Sequence, residues 1–178
     1  MKNTLKALFL IPLLVLLVSC NDNDKLSNSE KAIEVLHAIQ TGDVKAMQDY
    51  INPNKYIQHN LSYPNGASAV IGATQSGAFD GTTIETVRSF EDNDIVVLHS
   101  LYAGTWNNNT PQVVFDVFRF KDGLIVEHWD NLDNQQNDND GTTQLNGTLT
   151  PATDLFATEL NREIVTEASQ KIFLQGLY

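Results

Sequence analysis

Cysteine is almost absent. Cys20 is the only one in 178 residues, so no disulfide forms within one copy, and packing and hydrogen bonds must hold the fold. Basic residues are scarce as well: Lys and Arg total 11 against 22 Asp and Glu, a net charge of −11. So acidic a surface repels phosphate backbones and anionic headgroups, which argues against nucleic acid as a partner. No apolar run reaches the roughly 20 residues that a membrane-spanning helix needs. The sequence also lacks a Gly-x-Ser-x-Gly elbow, a glycine-rich phosphate loop and a reactive cysteine. Nucleophilic hydrolysis and nucleotide chemistry therefore have no support.

What is present begins with an export pattern. Lys2 and Lys6 precede the apolar run Ala7–Val18, and small Ser19 stands before Cys20, the order of a secretory signal. Leu17-Val18-Ser19-Cys20 resembles a bacterial lipoprotein signal. That resemblance implies removal of residues 1–19 and lipidation of Cys20, palmitate-type chains included. It places the protein in the cell envelope, on the periplasmic face or the cell surface. Two acyl chains suffice for a stable membrane anchor where one is marginal. Residues 20–28, rich in Asn, Asp and Ser, read as a polar tether.

Residues 29–132 divide into helices and then strands. Ala32, Ile33, Val35, Leu36 and Ile39 keep a helical period, with Ser27 or Ser29 as cap and Gly42-Asp43 as break. A short second helix spans 44–51 and a third 67–75, with the extended piece Tyr56–Asn60 between them. From Thr82 the chain turns β-branched and aromatic in four runs, 82–90, 95–105, 112–120 and 124–132, separated by Asn, Asp, Gly and Pro. This order predicts an α+β fold: a conical, curved antiparallel sheet with the N-terminal helices packed in its concave face. A sheet folded over helices encloses a pocket, where a ligand is expected. Residues 133–151 read as linker. Residues 152–178 read as a C-terminal amphipathic helix, capped by Asp154, whose apolar face must dock on the domain or on a partner subunit.

The chemistry concentrates in the last two strands. Val113–Phe120 alternates and carries Asp116; Leu124–Leu132 alternates and carries His128 and Asp130. A three-residue loop at 121–123 pairs Phe120 with Leu124 and sets Asp116 opposite His128, with Asp130 two residues on. All three then share one face with Val114, Phe118, Val126 and Leu132. Ionisable groups among apolar neighbours have shifted pKa values, which suits acid–base catalysis.

Tyr56-Ile57-Gln58-His59-Asn60, Val97-Leu98-His99-Ser100 and the block from Phe115 to Asp130 resemble the SnoaL-like polyketide cyclase family of the nuclear-transport-factor-2-like superfamily. The likeness covers residues 29–132. It implies a cofactor-independent acid/base enzyme of the aldol type, a lyase or isomerase acting on a small carbonyl compound. By position it maps the acid/base carboxylate onto Asp130, with His128 and Asp116 beside it. His59, His99, Tyr56, Phe118 and Trp129 then become the substrate-binding lining, and no metal or cofactor is called for. The superfamily also implies a homodimer, and some relatives carry a partial second copy, which would suit the C-terminal helix. Asn131-Leu132 and Leu61-Ser62-Tyr63 depart from the family pattern without touching the ionisable set.

Several alternatives stay open on the residues alone. His128 and Trp129 alternate, so one of them faces away from the pocket. Asp116 has Arg88 and Arg119 as possible ion-pair partners. His99 also fits a hydrogen-bonded core position. His128-x-Asp130 is only a weak metal-ligand spacing. The same cup also suits a non-catalytic lipoprotein that binds a small apolar ligand or serves as a dimerising scaffold.

Overall fold

The computed structural model describes residues 25–150 and 152–174; the export signal, Cys20 and most of the tether lie outside them. Helix α1 (Asn28–Thr41) starts at Ser27, the first of the two candidate caps. The Ser27 hydroxyl accepts the Glu30 amide while Glu30 Oε2 accepts the Ser27 amide at 2.7 Å, a reciprocal cap. Gly42 ends the helix in the left-handed region at φ 77°, its N–H reaching Ala38 O, a conformation in which glycine escapes the Cβ clash. Ala32, Val35, Leu36 and Ala38 form the buried stripe. Helix α2 (Lys45–Tyr50) adds Met47, and helix α3 (Ala67–Gln75) adds Ala67 and Thr74.

The strands are β1 (Ile57–Gln58), β2 (Thr82–Asp92), β3 (Ile95–Gly104), β4 (Gln112–Lys121) and β5 (Leu124–Asn134), in the order β1-β5-β4-β3-β2. Strands β2 to β5 form the expected antiparallel meander. The sheet is not wholly antiparallel, because β1 runs parallel to β5. Its two residues arrive from the helical layer rather than through a hairpin, so nothing forces a reversal. Ala32, Leu36, Met47, Val96, Leu98, Val114 and Ile125 fill the space between the helices and the concave face. Lys31 crosses to the far hairpin, its Nζ donating to Gly123 O at 3.0 Å.

The convex face is partly covered by the chain after β5, where Arg88 Nη2 donates to Leu145 O at 2.9 Å. Helix α4 (Thr158–Ser169) follows a 3-10 turn at Leu155–Ala157 and continues as a π-turn through Leu174. Asp154 makes no side-chain capping bond. Leu160, Ile164 and Val165 are exposed, so the apolar face expected to dock is uncovered among the described residues.

Candidate active site

The turn between β4 and β5 differs from the expected one. Asp122 (φ 54°) and Gly123 (φ 78°) alone form the loop, and Lys121 pairs with Leu124. Asp-Gly is the pair that a two-residue hairpin with two left-handed positions prefers. A regular ladder from that turn would oppose Asp116 to Trp129 and send Asp116 and His128 to opposite faces. The ladder instead slips once: Phe120 pairs with Ile125, Arg119 with Glu127, and Val126 has no partner. The bulge arises where Ile125 and Val126 are both buried, two consecutive side chains that a flat strand would have to split between faces. Asp116 thus lies opposite Asp130, and Phe118 opposite His128. The sequence-derived register was wrong by two residues, but its parity was right, and all three ionisable groups share the concave face.

There they form a closed network. His128 Nε2 and Asp116 Oδ1 are 3.1 Å apart, and Tyr102 Oη donates to Asp116 Oδ2 at 3.0 Å. His128 Nδ1 meets Gln58 Oε1 at 3.0 Å. That oxygen also accepts the Asn60 amide, while Gln58 Nε2 donates to Tyr56 Oη; these two bonds set the orientation of the Gln58 amide. An acceptor opposite Nδ1 requires Nδ1 to carry hydrogen, so a single proton lies between His128 Nε2 and Asp116 Oδ1. Both nitrogens of His128 and both oxygens of Asp116 are therefore engaged. Asp130 differs: Asn60 Nδ2 donates to its Oδ2 at 2.7 Å, and its Oδ1 has no protein donor among the described residues.

These groups line a cavity of about 60 Å³ under an apolar wall of Val35, Leu36, Ile39, Ile51, Val70, Val114, Phe118 and Leu132. Tyr63, Phe79 and Trp106 form an aromatic rim, with Phe79 6.0 Å from Tyr63 and 6.3 Å from Trp106 between ring centroids. Trp106 is held there by its Nε1 bond to Gln112 Oε1 and by edge contact with Tyr102. Burial, and then the carboxylate of Asp116, push the Tyr102 phenol well above its ordinary range. Tyr56 is raised by burial, then by Asp116 and Asp130; Tyr63 is raised by burial and then by Asp130. All three phenols are thereby kept protonated as donors around an anionic centre.

Of the lining residues expected from the sequence, Tyr56 and Phe118 border the cavity, and His59, His99 and Trp129 do not. Trp129 stacks on His59 at 4.6 Å on the convex face, where His59 Nε2 bonds Glu127 Oε1. His59 and Arg119 together lower the Glu127 pKa, the His59 hydrogen bond contributing most. His99 also faces the convex side. It stacks on Phe115 and accepts from Arg88 Nη1 through Nδ1. Desolvation and then the Arg88 charge lower its pKa. Asp116 pairs with neither Arg88 nor Arg119, which are committed to these convex-face partners. Val126, displaced by the bulge, also leaves the cavity wall. Gln58, Asn60, Tyr63, Tyr102 and Trp106 were missed. Strand alternation held a signal for two of them, since Tyr56, Gln58 and Asn60 must share a face that His59 cannot.

Asp116, His128 and Asp130 also bring one ligand atom each within 4.8 Å of one another. A cation there would take the place of the proton between His128 Nε2 and Asp116 Oδ1, and the bonds of His128 Nδ1 to Gln58 and of Asp116 Oδ2 to Tyr102 could remain.

Comparison with known proteins gives the fold and the family. No curated protein matches the chain. An NTF2-like protein of unknown function from Cytophaga hutchinsonii superposes with a TM-score of 0.51 at 14% identity, over 61% of this chain and 92% of that one. A Bacillus cereus protein with a provisional polyketide-cyclase name gives 0.51 at 20% identity, over 60% and 74%. An LEH-like epoxide hydrolase from M. tuberculosis gives 0.51 at 18% identity, over 60% and 82%. At such identities these likenesses establish the NTF2-like fold alone. The SnoaL-like domain profile matches residues 32–128, more than half of the chain and nearly the whole of the helical layer and sheet. The chain belongs to the SnoaL-like domain family.

Proposed function

We propose that this protein is a cofactor-independent acid/base enzyme for a small carbonyl compound, an aldol-type cyclase or lyase, or an isomerase, with Asp130 as the base. The observation that carries this reading is the unequal engagement of the two carboxylates. Asp116 is saturated by His128 and Tyr102, whereas Asp130 is aimed by Asn60 through one oxygen and has the other free beside an apolar cavity. A base must reach the proton it removes with an unoccupied lone pair. In the reaction, Oδ1 of Asp130 takes the proton from a carbon next to the carbonyl. The carbanion is delocalised onto the carbonyl oxygen and then attacks a second carbonyl or is reprotonated elsewhere. The cavity of about 60 Å³ is far below the ~300 Å³ of typical drug-sized pockets, which favours a compact substrate.

The test is hydrogen–deuterium exchange at the central carbon of 2,4-pentanedione and similar activated carbonyl compounds, with wild type and Asp130→Asn. Loss of exchange in the variant is expected; unchanged exchange would remove Asp130 from the mechanism. Tight retention of a co-purified ligand with no exchange would favour the binding lipoprotein instead. We also propose that Cys20 is lipidated and holds the domain in the envelope as a homodimer. Lys2, Lys6 and the run to Ser19-Cys20 support the anchor, and the family resemblance supports the dimer. Labelled palmitate incorporation that persists in Cys20→Ala would sink the anchor.

A further inference from the structure

We propose that Tyr56 is the oxyanion donor of this site, and that the substrate is an uncharged, enolisable carbonyl compound. The inference rests on the reading of Asp130 as base. When a C–H bond next to a carbonyl breaks, its proton goes to Asp130 Oδ1 and its electron pair forms the C=C bond. The carbonyl π pair moves onto oxygen, and a donor must meet that charge as it develops.

The obvious donor, His128, is not free. Its Nδ1 hydrogen goes to Gln58 Oε1, and the proton at Nε2 is shared with Asp116. Tyr102 gives its hydrogen to Asp116. Tyr56 is the contrast. Its Oη accepts from Gln58 Nε2 at 3.3 Å, and its own hydrogen has no acceptor among the described residues. Tyr56 is 6% exposed and borders the same cavity as Asp130.

One strand builds the arrangement. Tyr56, Gln58 and Asn60 stand at alternate positions along β1 and its flanks. Asn60 aims Asp130, and Gln58 holds both the Tyr56 hydroxyl and the Asn60 amide. Base and donor are therefore positioned by one hydrogen-bonded run of residues on β1 and its flanks. The Gln58 bond to Tyr56 Oη further polarises the phenol, and burial keeps it protonated.

The charge pattern selects the substrate. Among the described residues the lining contains Asp116 and Asp130 but neither Lys nor Arg, and the imidazole is already paired with a carboxylate. An anionic substrate would meet like charge in a poorly solvated space. Methyl acetoacetate and 2,4-pentanedione fit this field; acetoacetate itself does not.

The experiment follows exchange at the central carbon of 2,4-pentanedione in wild type, Tyr56→Phe and Asp130→Asn, and the ultraviolet spectrum of the bound diketone. Tyr56→Phe is expected to lower kcat by about 10²- to 10³-fold, the size found for loss of one oxyanion donor, with KM nearly unchanged. The enolate-like absorption of the bound diketone should disappear with it. Fluorotyrosine at position 56 keeps the ring and should shift the rate with phenol acidity, which a packing role would not do. Exchange lost in Asp130→Asn but intact in Tyr56→Phe overturns the role of Tyr56 and leaves that of Asp130. Exchange intact in Asp130→Asn overturns the base on which the inference rests. Tight binding of acetoacetate in competition with the diketone overturns the selection for uncharged substrates.

Discussion

Asp116 faces Asp130 across the β4–β5 ladder, yet its Oδ1 bonds diagonally to His128 Nε2 at 3.1 Å. The diagonal is what separates the two carboxylates chemically. One is spent on holding an imidazole and a phenol, and the other is left with a free oxygen.

That division predicts a contrast between two variants at one position. Asp116→Leu strips partners from both His128 and Tyr102 in the buried core. It should cost about 3–5 kcal/mol, as breaking a buried pair from one side usually does. Asp116→Asn can accept from Tyr102 through Oδ1 and donate to a neutral His128 through Nδ2, and should cost about 1 kcal/mol. Urea unfolding of both checks this; equal losses would mean that the network is not what the site depends on.

Deleting Val126 removes the extra residue of the bulge and leaves a regular two-residue hairpin in which Arg119–Glu127, Phe118–His128 and Asp116–Asp130 still pair, so His128 and Asp130 should stay on the concave face. A loss of about 3 kcal/mol, roughly 6–12 °C in melting temperature, is expected from losing the buried Val126 side chain and straightening the strand. The folded fraction should therefore keep its exchange activity. A folded deletion variant without exchange activity would show that His128 and Asp130 had left the concave face, against this register.

His99 should make the domain acid-sensitive. Its folded pKa lies below the ordinary 6.5 because desolvation and Arg88 favour the neutral ring. Between those two values the unfolded chain binds more protons, so this stabilisation is complete above pH 6.5 and is lost as pH falls through the folded value. His99→Gln, which can still accept from Arg88, should flatten the decline in unfolding free energy between pH 7.5 and 5. A decline of unchanged slope would assign it to other groups.

Removing residues 152–178 should leave the cooperative melting of the domain within about 1 kcal/mol of wild type, since no α4 residue is buried. The segment up to Gly147 must be kept, because Arg88 is bonded to Leu145 O. A large drop in melting temperature would show that the exposed apolar stripe of Leu160, Ile164 and Val165 is covered in solution.

Much of this organisation was readable from local patterns. The Ser27 and Gly42 boundaries, the third helix at 67–75 and the four long strands follow from capping chemistry and from period 2 or 3.6. The concave placement of Asp116, His128 and Asp130 was expected from alternation beyond a three-residue loop, and it holds because a two-residue turn and a bulge together move the ladder by two; the choice between His128 and Trp129 was open because phase needs a reference. His59 and Trp129 were misassigned although each is one residue out of phase with a neighbour that does face the cavity. Tyr102 and Trp106 reach the site only once β3 lies beside β4, a pairing that local patterns do not fix.

Local chemistry along the chain thus determined the helices, the strands and the set of residues able to move protons, because capping, turn and periodicity rules act over a few positions. Only the tertiary structure decided which of them are free to act. The bulge at Val126 depends on two buried side chains competing for the same core. The freedom of Asp130 and Tyr56 depends on what Asp116, Gln58 and Asn60 spend elsewhere, and that hydrogen-bond accounting closes only once distant strands lie side by side.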